Sequence, residues 1–342
     1  MVKCGGGLVL NGFESLDHPI IQAPIGSASS IELAAAVSNA GGMGSLAMTW
    51  TEPATAGKLV ADLKRMTDGL FAVNFVLSFE PQSLKAVLDA GAPVITLSWG
   101  MDVENIDFAK RSGALVGVQV GSPGGAIQAI EGGADFLICQ GAEAGGHVQS
   151  TTSLAELLPQ VLTVAEHVPV IGAGGLADSH DVRQVIDAGA AAAMLGTRFL
   201  VATESKAHPA YQQALITAGE GATSFTGCYD GGWPYSAHRV LRNYTLDRWE
   251  AAGCPQPGNR PGECDLIART PQGWDIPRYH MASPVCTTTG NVLELALYAG
   301  TGSARINEIL PAKEIVQRLS ASKVPGTVYL IDPELRSSGS IK

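Results

Sequence analysis

The stretch PVIGAGGLADSHDVRQVIDAGAAAAMLGTRFL, residues 169–200, decides the fold. It opens on a short apolar run (169–173). SHDVRQVIDAG (179–189) then carries apolar residues at helical spacing behind an aspartate able to cap the first turn. Gly189 supplies the left-handed conformation that ends a helix, and a second apolar run (191–200) follows. Strand, capped helix, glycine turn and strand make one β-α-β unit.

The same order repeats upstream. Apolar runs at 19–25, 42–48, 71–77, 93–99, 115–120 and 135–140 precede these two, eight in all. SSIELAAAVSNAG (29–41) and LAELLPQVLTVAEH (154–167) are further amphipathic stretches, and Asn39-Ala40-Gly41-Gly42, Asp89-Ala90-Gly91-Ala92 and Glu131-Gly132-Gly133-Ala134 are further helix ends. Strands written as near-continuous apolar runs, rather than alternating ones, are buried on both faces, as parallel strands between helices are. Eight successive units match an α/β fold of the (β/α)8 TIM barrel type better than a doubly wound sheet.

After about Gly221 the rhythm stops. The expected organisation is a barrel over 1–221, a smaller lid or substrate subdomain over 222–284, helices over 285–320 that return to pack on the barrel, and a tail over 321–342. The lid region is rich in loops, including CPQPGNRPGEC (254–264). Its Trp233, Tyr235, Trp249 and Trp274 are expected to pack an appendage short of aliphatic residues, with one available to wall the pocket. Helical periodicity in GNVLELALYAG (290–300) and PAKEIVQRL (311–319) marks the returning helices.

Composition excludes several classes. With 46% hydrophobic and 16% charged residues over 342 positions, the chain can bury a large core and is not disordered. A net charge of −10, without a basic run, argues against nucleic acid and anionic membrane as partners. Cys4, Cys139, Cys228, Cys254, Cys264 and Cys286 are scattered, with no metal-ligand spacing, so a reduced cytoplasmic protein without a metal site is expected. No stretch approaches the ~18 uninterrupted apolar residues of a membrane span, and MVKCGGGLVLNG (1–12) is too short in its apolar part for a signal peptide.

Barrel enzymes work at the C-terminal ends of their strands. After the seventh and eighth runs come Ala173-Gly174-Gly175-Leu176 and Leu195-Gly196-Thr197-Arg198, whose glycines let backbone amides approach an anion, the usual phosphate cradle at this place. After the sixth comes QGAEAGGH (140–147), raising His147 either as a general base with a pKa of ~6.5 or as a solvated, inert side chain. The first run leads into Ala23, Pro24 and Ile25, a flat apolar wall, and the third carries Asn74, an amide for the polar edge of a planar ring or a cap for a buried backbone group. Cys139 reads as a buried thiol rather than a nucleophile. His238 and Arg239 read as a solvated surface pair rather than as anion stabilisers.

Taken together, PIIQAPIG (19–26), AAAVSNAGGMGSL (34–46), VNF (73–75), GVQV (117–120), CQGAEAGGH (139–147), LLPQV (157–161), PVIGAGGLAD (169–178) and MLGTRFL (194–200) resemble the nitronate monooxygenase family, formerly the 2-nitropropane dioxygenases. AGTGSARINEILPAKEIVQRL (299–319) resembles that family's C-terminal segment. The resemblance implies an FMN-dependent barrel without metal that oxidises alkyl nitronates, or nitroalkanes, with O2 to a carbonyl compound and nitrite. By position it implies Ala23, Pro24 and Ile25 as the wall behind the flavin ring, with Asn74, Gln140 and Gly145 as further flavin contacts. It implies Gly174, Gly175, Met194, Leu195, Gly196 and Thr197 as the phosphate cradle, and His147 as the catalytic base.

Three departures neighbour the pocket. Val148-Gln149-Ser150 follow His147 where the family often has another glycine, Ile25 stands for a usual methionine, and Gly300-Thr301 for a Gly-Gln. They bear on the substrate more than on the flavin. The expected partners are therefore a small-molecule nitronate or nitroalkane and O2. The rival expectation is an NAD(P)H-dependent flavin reductase of the type II enoyl-acyl carrier protein reductase or NADH:quinone reductase kind. A flavin-binding protein without turnover, and a barrel lyase or isomerase with a phosphorylated substrate, are the alternatives from other classes.

Overall fold

A computed structural model describes residues 16–321; Cys4, the N-terminal stretch and the expected tail from residue 322 lie outside the described residues. Eight parallel strands form one sheet: β1 (Ile20–Gln22), β2 (Gly44–Ala47), β3 (Phe71–Val76), β4 (Val94–Ser98), β5 (Leu115–Val120), β6 (Phe136–Gln140), β7 (Val170–Ala173) and β8 (Ala192–Leu195). From β2 to β8 each pairs with the next, and β8 pairs with β1, Ile20 standing opposite Ala193. Met43, just before β2, closes the ring: Gln22 N donates to Met43 O and Met43 N to Ile20 O, both at 2.9 Å. The expected (β/α)8 barrel is thus the observed fold.

Alternation of side chains along a strand explains the continuous apolar runs. Ile21, Phe136 and Ile138 pack inside the barrel, while their neighbours Ile20, Leu137 and Cys139 pack outward against the helices. Both faces are buried, so both carry apolar residues. The interior is tight enough that a Cβ on Gly117 would lie 2.1 Å from the Phe136 ring.

The connecting helices are α1 (Ile31–Asn39), α2 (Pro53–Met66), α3 (Leu84–Asp89), α4 (Val103–Arg111), α5 (Pro123–Glu131), α6 (Leu154–Ala165) and α7 (Ser179–Asp187). Ser30, Asp102, Ser122, Ser153 and Asp178 cap their first turns as the spacing requires. The eighth apolar run is shorter as a strand than expected. It turns at Gly196 into a helical turn, α8 (Thr197–Leu200), because an apolar run cannot distinguish a strand from a buried helical segment. After α9 (Pro209–Ile216) the chain leaves the barrel. The place in the outer ring between α7 and α1 is filled from the C-terminus: α11 (Ala312–Ser320) packs on both, burying Ala312, Ile315, Val316 and Leu319 in their core.

Residues 223–290 form a hairpin of Thr223–Thr226 with His238–Leu241, the helix α10 (Tyr244–Ala251), and a small antiparallel sheet of Leu266–Arg269, Asp275–Pro277 and Thr289–Gly290. The expected helix over 290–300 is not there. A single 3-10 turn (Val292–Glu294) is followed by extended chain, whose Leu297 O accepts from Leu241 N and whose Ala299 N donates to Arg239 O. Leu295, Ala296, Leu297 and Ala299 are buried on both sides of this added strand, so the run is apolar without being helical. Of the four aromatic residues expected to pack the appendage, Trp249 does and Trp233 turns to the barrel mouth against Phe79, Trp99 and His147, whereas Tyr235 (98% exposed) and Trp274 (77%) stand in solvent at turns. Among the described residues no helix is long and apolar enough to cross a membrane.

Candidate active site

At the C-terminal end of the barrel the inward-facing positions turn from apolar to amide. Asn74 on β3 donates from Nδ2 to Thr96 O (3.1 Å) and Thr96 Oγ1 (3.2 Å) on β4, so its nitrogen caps a strand carbonyl and its carboxamide oxygen remains an acceptor. Gln119 on β5 donates from Nε2 to Gln140 Oε1 (3.1 Å) and to Gln149 Oε1 (2.7 Å). Gln140 also accepts from Gln149 N (3.2 Å) and donates to His147 O (3.4 Å). The Val148-Gln149-Ser150 departure thus has a structural use: Gln149 completes a three-glutamine network that holds the backbone of His147.

The loop after β6 is not the free glycine-rich loop expected. Arg239 donates twice to Ala142 O (3.1 and 2.9 Å), Thr301 N donates to Glu143 O (3.0 Å), and Glu143 Oε2 accepts from Leu154 N (2.9 Å). Gly146 and His147 pair as a short strand with Arg239 and His238. A Cβ on Gly145 would lie 2.5 Å from Gly300 N, so the loop is clamped between the barrel and the C-terminal segment. His238 and Arg239 are therefore not a solvated surface pair: both are built into this clamp.

His147 is consequently sheltered. Its ring stacks on Trp233 at 4.1 Å between centroids, with Trp99, His238 and Tyr298 around it. Its Nε2 is buried and has no hydrogen-bond partner among the described residues. Burial, with a smaller contribution from His238, pushes its pKa down to about 3. His147 is thus neutral at pH 7, with a lone pair available. His238 is specified as neutral by its own contacts, Nδ1–H donating to Ser236 O (2.9 Å) and Nε2 accepting from Tyr229 N–H (3.1 Å); burial lowers its pKa also.

This has a consequence for stability. Below ~6.5 the unfolded chain takes up protons that the folded one refuses, so stability falls as pH falls toward 3. His147 alone accounts for about 2 kcal/mol between pH 7.5 and 5. Urea unfolding at the two pH values should show His147→Gln losing less than wild type on acidification. Equal losses would mean that folded His147 accepts its proton normally.

The loops after β7 and β8 meet the C-terminal segment. Gly174 has φ +128° and Gly175 φ +71°; a Cβ on Gly175 would lie 2.7 Å from both Glu143 Cβ and Thr301 Oγ1. Thr197 Oγ1 accepts from Gly300 N (3.0 Å). The amides of Gly174, Gly175 and Gly196 donate to no backbone carbonyl among the described residues. Bare amides, two of them on glycines whose positive φ and close neighbours disfavour a side chain (Gly174 and Gly175), are what a phosphate end requires. Gly196 faces Ala23 and Ile25, a Cβ there lying 3.6 Å from Ala23 Cβ, so the flat apolar wall with Pro24 adjoins this cradle. The chemistry of the donor set fits a flavin nucleotide: amides for the polar ring edge, an apolar wall, and unpaired backbone N–H groups for a phosphate.

Not every expected residue presents its side chain here. Leu195 packs outward against the helices and contributes only its carbonyl, which accepts from Ala23 N (2.9 Å). Met194 fills the barrel interior, and Gly145 serves the clamp. Gln119, Trp99, Tyr298 and Glu143 are at the site without having been singled out, while Gln149 and Thr301, expected beside the pocket as departures from the family pattern, are found there. Gln119 alone had a local signal, a polar residue inside an apolar run. Cys139 is buried in the outer layer, its thiol pushed up to about 12 by burial, as suits an inert group.

Comparison with known proteins agrees with this architecture. The model of the nitronate monooxygenase family matches residues 9–83 and 79–322. A nitronate monooxygenase of Pseudomonas aeruginosa is 27% identical, covering 89% of this chain and 95% of its own. A Mycobacterium tuberculosis (3aS,4S,5R,7aS)-5-hydroxy-7a-methyl-1-oxo-octahydro-1H-indene-4-carboxyl-CoA dehydrogenase is 32% identical over 69% of this chain; the match spans 66% of that relative's length, just under two thirds. Among solved structures, FabK from Thermotoga maritima has a TM-score of 0.74 at 28% identity, covering 88% of this chain and 91% of its own. A nitroalkane oxidase from Streptomyces ansochromogenes has 0.73 at 28%, covering 89% and 95%. An eight-stranded barrel whose seventh and eighth loops offer bare amides, matched by the family model over its whole described length, places this chain in the nitronate monooxygenase family, to which it belongs.

Proposed function

We propose that the protein oxidises alkyl nitronates with O2, two nitronates and one O2 giving two carbonyl compounds and two nitrites, and that it also accepts neutral nitroalkanes. FMN is the cofactor in this reading. Ala23, Pro24 and Ile25 would wall its ring, Asn74 and Gln140 would meet its polar edge, and Gly174, Gly175, Gly196 and Thr197 would hold its phosphate. Bound FMN would supply the redox chemistry, taking electrons from the nitronate and passing them to oxygen. The family match over residues 9–83 and 79–322 supports nitronate oxidation, and the observation that carries the extension to neutral nitroalkanes is the unpartnered Nε2 of His147 beside the amide-lined end of the barrel.

For a neutral nitroalkane, His147 Nε2 would remove the α-proton. A buried imidazole resists a charge, but here the cation forms beside the nitronate anion, and in a sheltered site the pair offsets much of the cost of burial. The glutamine network and the Arg239 clamp keep the ring from moving away. A preformed nitronate has no proton to lose and needs only binding and orientation.

The second reading, an NAD(P)H-dependent flavin reductase, draws support from the dehydrogenase relative. Anaerobic mixing separates them. The purified yellow protein should be bleached rapidly by propane-2-nitronate and slowly or not at all by NADH. Rapid bleaching by NADH, with none by the nitronate, would overturn the proposal in favour of the reductase.

A further inference from the structure

Aromatic rings join into one wall at the mouth of the barrel. Trp50, after β2, meets Phe79, after β3, edge to face at 5.1 Å, and Phe79 meets Trp233 of the appendage at 5.3 Å. Trp233 in turn meets Trp99 at the end of β4 (4.9 Å) and stacks on His147 (4.1 Å), which faces Tyr298 at 5.4 Å. The wall runs from solvent inward: Trp50 is 53% exposed and Trp233 9%. Phe79, Trp99, His147 and Tyr298 are half-buried.

Two features go beyond the packing of an appendage on a barrel. Trp99 has φ +58°, a left-handed conformation that a bulky residue adopts only when its surroundings hold it there. Trp233 comes on a preformed loop. Gly231 N donates to Tyr279 O (3.0 Å), Met281 N donates to Gly231 O (2.9 Å), and the neighbouring Asp230 pairs with buried Arg260 at 2.7 Å. None of the wall's side chains carries a charge at neutral pH, His147 included, so the wall offers ring faces and edges to a ligand and no cation to an anionic handle.

We propose that this wall binds a ring carried by the substrate, so that the preferred nitronates are aryl- or cycloalkyl-substituted rather than short-chain, with Trp233 and Trp99 determining that specificity. The proposal rests on nitronate oxidation as the reaction and names its substrate class. Edge-to-face walls favour a flat apolar ring by stacking, and a preformed wall spends no ordering entropy on it.

Steady-state kcat/KM of the FMN-loaded protein for the nitronate of 1-nitro-2-phenylethane, relative to that of nitroethane, reads the preference directly. The ratio should be at least tenfold in wild type, fall at least tenfold in Trp233→Ala, and largely return in Trp233→Phe. Trp50→Ala, at an exposed position, should fold normally and lower the ratio severalfold. A wild-type ratio near one, or the same ratio in all variants, overturns the proposal. Calorimetric titration with the unreactive probe 2-phenylethanol separates this inference from the reaction. Binding to wild type and not to Trp233→Ala, with no nitronate oxidised, would sustain the ring site and sink the reaction. Nitronates oxidised without ring preference, and no binding of the probe, would do the reverse.

Discussion

His147→Ala is expected to keep FMN and to lose about 10²–10⁴-fold in kcat/KM on neutral nitroalkanes, the usual contribution of a positioned base, while preformed nitronates lose far less. The difference follows from the chemistry: only the neutral substrate has an α-proton to give. Nothing in the cradle of Gly174, Gly175 and Gly196 depends on the imidazole, so flavin content should be unchanged. The pH profile supplies a second readout. With the His147 pKa near 3, the free enzyme has its base in the working form throughout the neutral range, and the acid limb of kcat/KM belongs near pH 3 rather than at ~6.5. Equal losses on nitroalkane and nitronate, or a limb at the ordinary imidazole value, would remove His147 from the role of base.

Gly302→Ala is expected to release the cofactor. Gly302 lies in the turn Thr301–Arg305, and a Cβ there would sit 2.1 Å from Gly175 O and 3.0 Å from Gly175 C. The obstacle is backbone, so either the turn or the loop after β7 must shift. Overpacking of this kind costs about 1–3 kcal/mol. Displacing amides that hold an anion forfeits charge-assisted hydrogen bonds of about 1.5–3 kcal/mol each, and each 1.4 kcal/mol is about tenfold in affinity. FMN affinity should therefore fall by about 10²-fold, read as flavin retained after gel filtration, with a lower unfolding midpoint. Gly219→Ala, which has open space around it, serves as the control and should change neither. Full flavin retention in Gly302→Ala would show that the C-terminal segment does not brace the phosphate loop.

The barrel was legible because its signals are local. Capped helices such as the one behind Asp178, the left-handed turn at Gly189 and apolar runs buried on both faces each lie within a few residues. The positions of the loops after β7 and β8 followed from counting strands. The amide layer was only partly legible. Asn74 and Gln140 stood out by position, whereas Gln119 and Thr96 lay inside runs read as uniformly apolar, although the same two-residue alternation turns all four inward.

What the sequence determined by itself is the repeating β-α unit, its closure into eight, and the glycine loops at the strand ends. The tertiary structure alone decided the surroundings of His147, the extended course of residues 290–300, and the docking of α11 between α7 and α1. The physical reason is separation along the chain. Trp233 covers His147 from a distant segment, Arg239 clamps Ala142 across 97 residues, and Gly300 reaches Thr197 across 103. Contacts of that span leave no period in the sequence, and they turn a histidine expected on an open loop into a neutral, sheltered one.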